Sequence, residues 1–294
     1  MFSRRQINRA MLLAPLADLL AGTARADGQS TLERLKQLER DSGGRLGVAV
    51  LDTGNGRRFG LREDERFPLC STFKLLLAAC VLARVDRGEE QLARRIVYSQ
   101  ADLVEYSPVS ERHVGQPGMS VAELCEAAIT LSDNGAANLL LASLGGPAGL
   151  TGWLRSTGDD ISRLDRNEPT LNQALPDDPR DTSTPRAMVA TLQRLLLGDI
   201  LQPASRDQLN AWLAANKTGD KRIRAGLPTG WKVGDKTGTG ERGTSNDVAI
   251  LRPPGRAPIL VAAYLTGSPA PAEKRDALLA EVGRLAAGLV SDPG

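Results

Sequence analysis

The sequence predicts an α+β fold, with a five-stranded antiparallel sheet drawn from the two ends of the chain and an all-helical middle inserted between them. Two observations predict it. Strand-like runs separated by turn residues lie only near the ends, at Leu46 to Leu51, Arg57 to Leu61, Trp231 to Thr239, Asn246 to Leu251 and Ile259 to Thr266. From Ser71 to about Lys217 the apolar spacing is helical, with loops between. The 294 residues are 41% hydrophobic, enough for a sizeable core in one large or two medium domains.

Arg4, Arg5 and Arg9 form a basic start, Ala10 to Gly22 a short apolar region, and Ala24-Arg25-Ala26 a small-x-small cleavage site. Residues 1–26 therefore read as an export signal, with a mature start at Asp27. Ser3-Arg4-Arg5 also resembles a twin-arginine start. Cleavage removes four arginines and one aspartate, so the net charge falls from +2 to −1. That balance argues against a nucleic-acid partner. No later stretch is long and apolar enough to span a membrane.

Thr31 to Glu39 puts Leu32, Leu35 and Leu38 at helical spacing, and Gly43-Gly44 ends that helix. Asp52 to Gly56 is a turn between the first two strands. Phe67-Pro68 and Asp86-Arg87-Gly88 bracket a nearly all-apolar helix with Ser71 in its first turn. Val121 to Thr130 is an apolar helix, and Gly135 to Leu144 another, stopped by Gly145-Gly146-Pro147. Arg163 to Asp181 has three prolines, many charges and little periodicity; a long irregular segment in a compact domain usually carries function. Thr184-Pro185 caps a helix that buries Leu192, Leu195 and Leu196. Glu273 to Val290 closes the chain as an amphipathic helix through Leu278, Val282, Leu285 and Leu289. This division gives residues 27–66 and 219–294 to an α/β sheet domain and 67–218 to an all-α domain.

Candidate chemistry begins at Ser71-Thr72-Phe73-Lys74. Serine and lysine three apart share one helical face. Burial beside a second cation would lower the lysine pKa towards that of a usable base, and N–H groups at the helix start suit a developing oxyanion. Alone, the pattern reads as well as a capping serine and a snorkelling lysine. The single histidine, His113, lies in a polar stretch and reads as a surface residue, which sets aside a histidine-rich metal site and a Ser-His-Asp triad. Cys70, Cys80 and Cys125 form no Cys-x-x-Cys pair.

Three further motifs follow in order: Ser132-Asp133-Asn134 between two helices, Glu168-Pro169-Thr170-Leu171-Asn172 in the irregular segment, and Lys236-Thr237-Gly238-Thr239 along a strand. Together with the fold pattern these resemble the class A serine β-lactamases over nearly all of the mature chain. Within that class Cys70-Ser71-Thr72-Phe73-Lys74, Arg163-Leu164-Asp165-Arg166 and Lys236-Thr237-Gly238-Thr239-Gly240 look most like the chromosomal Pen-type enzymes. The resemblance implies the serine β-lactamase / DD-peptidase-like fold: an α/β/α sandwich with a five-stranded antiparallel sheet, an all-α domain, and the site between them. It implies a monomeric periplasmic enzyme, exported by the Sec or twin-arginine route. Its substrates would be small-molecule β-lactam antibiotics, with no metal, cofactor, nucleic acid or membrane partner after signal cleavage.

Position by position, it implies that Ser71 is the nucleophile, Lys74 takes part in its activation, Ser132 relays a proton to the departing nitrogen, and Glu168 is general base to a hydrolytic water shared with Asn172. Asn134 would donate to the drug's acylamide. Lys236, Thr237 and Arg222 would attract its carboxylate, Arg222 standing in for a cation that many relatives carry where this chain has Ser245. Gly238 would leave the strand edge open, Ser71 and Thr239 would supply the oxyanion-hole N–H groups, and Tyr106 the wall at the mouth. The same resemblance implies an Arg166–Asp181 ion pair and a cis Glu168–Pro169 bond. Cys125 matches one half of a family disulfide whose other half falls at Ala78, and the family partner of Cys70 falls at Gly240, so no disulfide is expected. The rivals are a D-alanyl-D-alanine peptidase of the penicillin-binding type, which does not predict Glu168 and Asn172, and a β-lactam sensor that stays acylated.

Overall fold

The computed structural model describes residues 29–291; the expected export signal over residues 1–26 lies outside them. A helix over 29–42 (α1) leads into β1 (Arg45–Asp52), β2 (Arg58–Leu61) and β3 (Phe67–Pro68), then a 3-10 turn over Cys70–Thr72 and α2 (Phe73–Asp86). There follow β4 (Arg95–Ile96), β5 (Met119–Ser120), α3 (Val121–Thr130), α4 (Asn134–Ser143), α5 (Pro147–Ser156) and β6 (Thr182–Ser183). The chain continues through α6 (Pro185–Leu196), α7 (Pro203–Ala214), β7 (Lys232–Gly240), β8 (Thr244–Arg252), β9 (Ile259–Thr266) and α8 (Ala272–Ser291).

The main sheet has the order β2-β1-β9-β8-β7, every pair antiparallel. β9 is central, so the last strand of the chain joins the first, in register from Arg45 opposite Thr266 to Asp52 opposite Ile259. Side chains alternate between faces along a strand, and here both faces are buried. Leu260, Ala262 and Tyr264 of β9, with Ala49 and Leu51 of β1, face the helical middle. Ile259, Val261, Ala263 and Leu265, with Leu46, Val48 and Val50, face Leu35 and Leu38 of α1 and Leu278, Leu279 and Val282 of α8. α6 packs on β1 and β9 from the first side, giving helix, sheet and helix layers.

Helix α2 is the axis of the helical middle. It is buried from Phe73 to Ala83, and α3, α4, α5 and α7 pack around it. A helix apolar on every side sits inside a protein rather than on its surface, and this one carries Lys74 inwards with no exposure at all.

Several boundaries differ from expectation. Ser71 lies in the 3-10 turn before α2 rather than in its first α-helical turn; Cys70 there has φ +44°, a left-handed conformation that regular α-helix does not accommodate. α4 begins at Asn134 because Asp133 caps it, its side chain accepting the N–H of Ala136. Gly145-Gly146-Pro147 does end α4, but Pro147 then opens α5 at a position where its missing N–H costs nothing. β7 starts at Lys232, one residue after Trp231, and runs to Gly240. Among the described residues no helix is long and apolar enough to cross a membrane.

Candidate active site

Four segments meet at the open edge of the sheet: the turn before α2, the α3–α4 connection, β7, and the irregular 163–181 segment across from it. Each is fastened by its own polar groups.

The α3–α4 connection is held by Asp133, which is fully buried. Its Oδ1 accepts from Ala136 N and Ser110 Oγ, both at 2.7 Å, and its Oδ2 from Val109 N at 2.8 Å and Ser110 N at 2.9 Å. Four donors on one carboxylate fix the backbone so firmly that Ser132 is held at φ +59°, a conformation that persists only where the surroundings over-determine it. Ser132 and Asn134 thereby flank the site.

The 163–181 segment is tied at its neck. Arg166 Nε lies 2.5 Å from Asp181 Oδ2, and Asp181 Oδ1 accepts the N–H groups of Asp165 and Arg166 at 2.7 and 2.9 Å. Within it the Glu168–Pro169 bond is cis, as is Gln116–Pro117 elsewhere. Asn138 of α4 holds the Glu168 backbone from both sides, accepting its N–H at 3.0 Å and donating to its carbonyl at 2.9 Å.

The carboxylate so placed is the hub. Glu168 Oε1 accepts from Ser71 Oγ at 3.1 Å and stands 2.9 Å from Lys74 Nζ, with both charged side chains fully buried. Lys74 Nζ also reaches Ser71 Oγ at 3.0 Å, Asn134 Oδ1 at 2.5 Å, Ser132 O at 2.8 Å and Ser132 Oγ at 3.4 Å. Glu168 Oε2 accepts from Asn172 Nδ2 at 2.5 Å, and Asn172 Oδ1 is buried with no partner among the described residues. On the far side Lys236 Nζ donates to Ser132 Oγ at 3.1 Å and to Thr237 O at 2.9 Å.

Burial lowers the Lys74 ammonium below its ordinary pKa, against the pull of Glu168 in the other direction. Lys236 is pushed well below its ordinary value, first by burial and then by the charge of Lys74. Two buried ammoniums around one carboxylate favour either an incoming anion or the loss of a proton. On β7 burial raises Asp235, and on β8 burial, with the charge of Asp235 added, drives Asp247 well above the ordinary carboxylate value.

A cleft of about 310 Å³ opens over this network. It is lined by eight residues that sequence reasoning named, Ser71, Tyr106, Ser132, Asn134, Asn172, Arg222, Thr237 and Thr239, and by Thr218, which it did not. Lys74, Glu168 and Lys236 lie buried within reach of those lining groups. Tyr106 stands 57% exposed at the rim. A larger cavity of about 650 Å³, behind residues 174–179, contains none of these groups.

Two residues carry further contacts. A Cβ at Gly238 would meet Leu69 O at 2.9 Å and Cys70 Cβ at 3.2 Å, so this glycine has a packing role that the sequence reading did not give it: it lets β7 press against the turn that carries Ser71. The Arg222 guanidinium is already engaged: Nε on Asp276 at 2.8 Å, one terminal nitrogen on Gly238 O and Asn246 O at 2.8 and 2.7 Å, and the other on Thr239 Oγ1 at 2.8 Å. It thus faces the cleft largely through Thr239. Thr218, Asn138 and Asp276 carried no sequence signal, because each acts through a partner distant in the chain. Only Asp133 stood in a motif, where its position before a helix marks it as a cap. Cys70, Cys80 and Cys125 are all free and buried.

Residues 31–290 match the family described as "Beta-lactamase enzyme family". Beta-lactamase AST-1 of Nocardia asteroides is 52% identical over 271 residues, 92% of this chain and 86% of its own. Among solved structures, an ancestral (GNCA) class A β-lactamase is 68% identical with a TM-score of 0.87, over 88% of this chain and 99% of that one. The class A β-lactamase of the last common ancestor of Gram-negative bacteria (GNCA4) matches equally, with 68% identity and TM-score 0.87 over 89% and 99%.

Proposed function

The chain belongs to the class A β-lactamases, serine hydrolases of β-lactam amides, and from that premise we propose how its own residues divide the reaction. The ring carboxylate of a penicillin or cephalosporin docks at Lys236, Thr237 and Thr239, with Arg222 behind Thr239. Asn134 spends one amide N–H on Glu105 O at 2.9 Å and offers the other to the acylamide, while Tyr106 walls the mouth.

Ser71 Oγ attacks the lactam carbonyl carbon. Its proton passes to Glu168 or Lys74, both already within hydrogen-bond reach. The backbone N–H groups of Ser71 and Thr239 stabilise the oxyanion. The C–N bond then breaks, the nitrogen takes the proton of Ser132 Oγ, and Lys74, 3.4 Å away, restores it with the proton that left Ser71, received directly or from Glu168 at 2.9 Å. A water held between Glu168 and Asn172 next attacks the ester carbon, Glu168 takes its proton, and that proton goes to Ser71 Oγ as the acyl C–O bond breaks.

The observation that carries this reading is the pairing of Glu168 with Asn172. One oxygen of Glu168 faces Ser71, the other is fixed by Asn172, and Asn172 Oδ1 is left as a buried acceptor without a partner. Buried polar atoms are seldom left so, and a water donating to Asn172 Oδ1 beside Glu168 would stand next to the ester. The two rivals have no need of such a pair. From the sequence we add that the protein is exported to the periplasm, acts there as a monomer without a cofactor, and confers β-lactam resistance. Mixing the purified protein with a chromogenic cephalosporin tests the reading: sustained turnover is expected, and a single equivalent of colour followed by none would identify a penicillin-binding protein or sensor.

A further inference from the structure

Thr218 lines the cleft, yet no step above uses it. Its hydroxyl stands between two partners, Asn216 Oδ1 at 2.9 Å and Thr237 Oγ1 at 2.5 Å. Asn216 is buried, and its amide has one satisfactory orientation. Nδ2 donates to Asp235 Oδ2 at 2.5 Å, and Oδ1 accepts the backbone N–H of Thr218 at 3.1 Å. Turned over, the amide would set N–H against N–H on the Thr218 side. Asn216 Oδ1 is therefore an acceptor, and the Thr218 hydroxyl donates to it.

A hydroxyl has a single proton. With the proton of Thr218 committed to Asn216, the short contact with Thr237 takes its proton from Thr237. Thr237 then turns only lone pairs towards the cleft, the wrong polarity for a carboxylate. Thr239 is set in the opposite sense. It accepts from Arg222 at 2.8 Å, so its own proton is free to point at a ligand.

We propose that Thr218 is a positioning residue that holds the Thr237 hydroxyl in the accepting sense, so that an anionic substrate engages Thr237 only after the Thr218 proton turns from Asn216 to Thr237. Asn216 Oδ1 keeps the backbone N–H of Thr218 throughout, so the turn leaves no buried acceptor bare and exchanges one neutral hydrogen bond. Thr218 thereby taxes ground-state binding of the carboxylate and leaves the chemistry at Ser71 alone. This inference rests on the carboxylate subsite assigned above.

The experiment compares Thr218→Val, Thr218→Ser and Thr237→Val with the parent protein, using benzylpenicillin and its neutral methyl ester, after matching melting temperatures establish that each variant folds. Thr218→Val should lower KM for benzylpenicillin by about 2–10-fold, the worth of one neutral hydrogen bond, with kcat little changed. Thr218→Ser should behave as the parent, and KM for the methyl ester should not respond to Thr218→Val. An unchanged or raised KM in Thr218→Val, or an equal shift for the ester, overturns the role of Thr218. If Thr237→Val leaves KM for benzylpenicillin unaltered, the carboxylate does not dock there and the subsite assignment itself is wrong.

Discussion

Glu168 and Ser71, 97 residues apart in the chain, share a direct hydrogen bond of 3.1 Å between Oε1 and Oγ. Glu168 therefore reaches the nucleophile itself as well as the place where a water would stand. In the reaction proposed above, acylation has a second base in Lys74, 3.0 Å from the same hydroxyl, whereas deacylation relies on Glu168 beside Asn172. Glu168→Ala should still acquire a penicilloyl adduct at Ser71 and then lose it about 10²–10⁴-fold more slowly than the parent. Time-resolved intact mass spectrometry follows both steps. Equal release by parent and variant removes Glu168 as the deacylation base.

Arg222→Ala removes a cation that also bridges the carbonyls of Gly238 and Asn246 and the hydroxyl of Thr239. It also takes from Asp276 its Arg222 partner at 2.8 Å. For penicillins kcat/KM should fall by roughly 10–100-fold, the range of a charge-assisted contact, mostly through KM. Unchanged kinetics would mean that Lys236 and Thr237 bind the carboxylate without it.

Asp247 is buried with Oδ1 unpartnered, and burial together with Asp235 raises its pKa well above the ordinary value. A carboxyl whose folded pKa is raised gives its full stability below the unfolded pKa of about 3.9, and that stability is lost as pH climbs through the folded value. Asp247→Asn stays neutral throughout and keeps an acceptor for Ile223 N. It should melt ~2–4 °C above the parent at pH 8, the shift that about 1 kcal/mol produces in a domain of roughly this size. The gain should vanish near pH 4. A gain of equal size at both pH values, or a loss at pH 8, would refute the account.

Gly240 sits where a Cβ would lie 2.7 Å from Cys70 Sγ and 2.8 Å from Asn172 O. Neither neighbour is the loose end of a flexible side chain, so Gly240→Ala must displace Asn172 or the Cys70 turn. The expected result is a loss of about 1–3 kcal/mol in stability, typical of overpacking, together with slower deacylation, because Asn172 steadies Glu168. Chemical denaturation and single-turnover kinetics measure the two effects, and an unchanged deacylation rate would uncouple Gly240 from Glu168.

Burial pushes the Cys80 thiol up to about 12 and raises Cys70 and Cys125 as well. At pH 8 none of the three provides an accessible thiolate. A thiol reagent should find no reactive group in the native protein and three in the unfolded, unreduced protein. One thiol on unfolding would reveal a disulfide between two of them.

What was legible in the sequence were features that repeat or cluster. An unbroken apolar run marked β9 from Ile259 to Thr266 without error, and the cap and proline at Thr184-Pro185 marked α6. Four short motifs named Lys74, Glu168 and Lys236, the charged groups of the buried network beneath the cleft. Elements whose start depends on a weak local signal escaped: α7 opens at Pro203 after Gln202, which makes no side-chain cap. The direction in which a group faces was equally hidden. Gly238 presses on Leu69 and Cys70, and Arg222 is occupied by Asp276, through contacts made by residues far apart in the chain. Apolar periodicity reports burial; it does not report which distant donor meets which acceptor.

Because β9 lies between β1 and β8, the ribosome delivers the keystone of the sheet almost last. Until residue 266 has emerged, β1 has β2 on one side and nothing on the other, and β8 likewise lacks a neighbour. The nascent chain thus carries the bare edge of β1 through most of its synthesis, and that of β8 as well from residue 252 until β9 has emerged, the condition in which chains pair with one another instead of with themselves. A stop codon after Gly255 would leave Ser71, Lys74, Glu168 and Lys236 in the polypeptide but deny them the strand that joins the ends of the chain, and the product should aggregate rather than survive as a weakened enzyme.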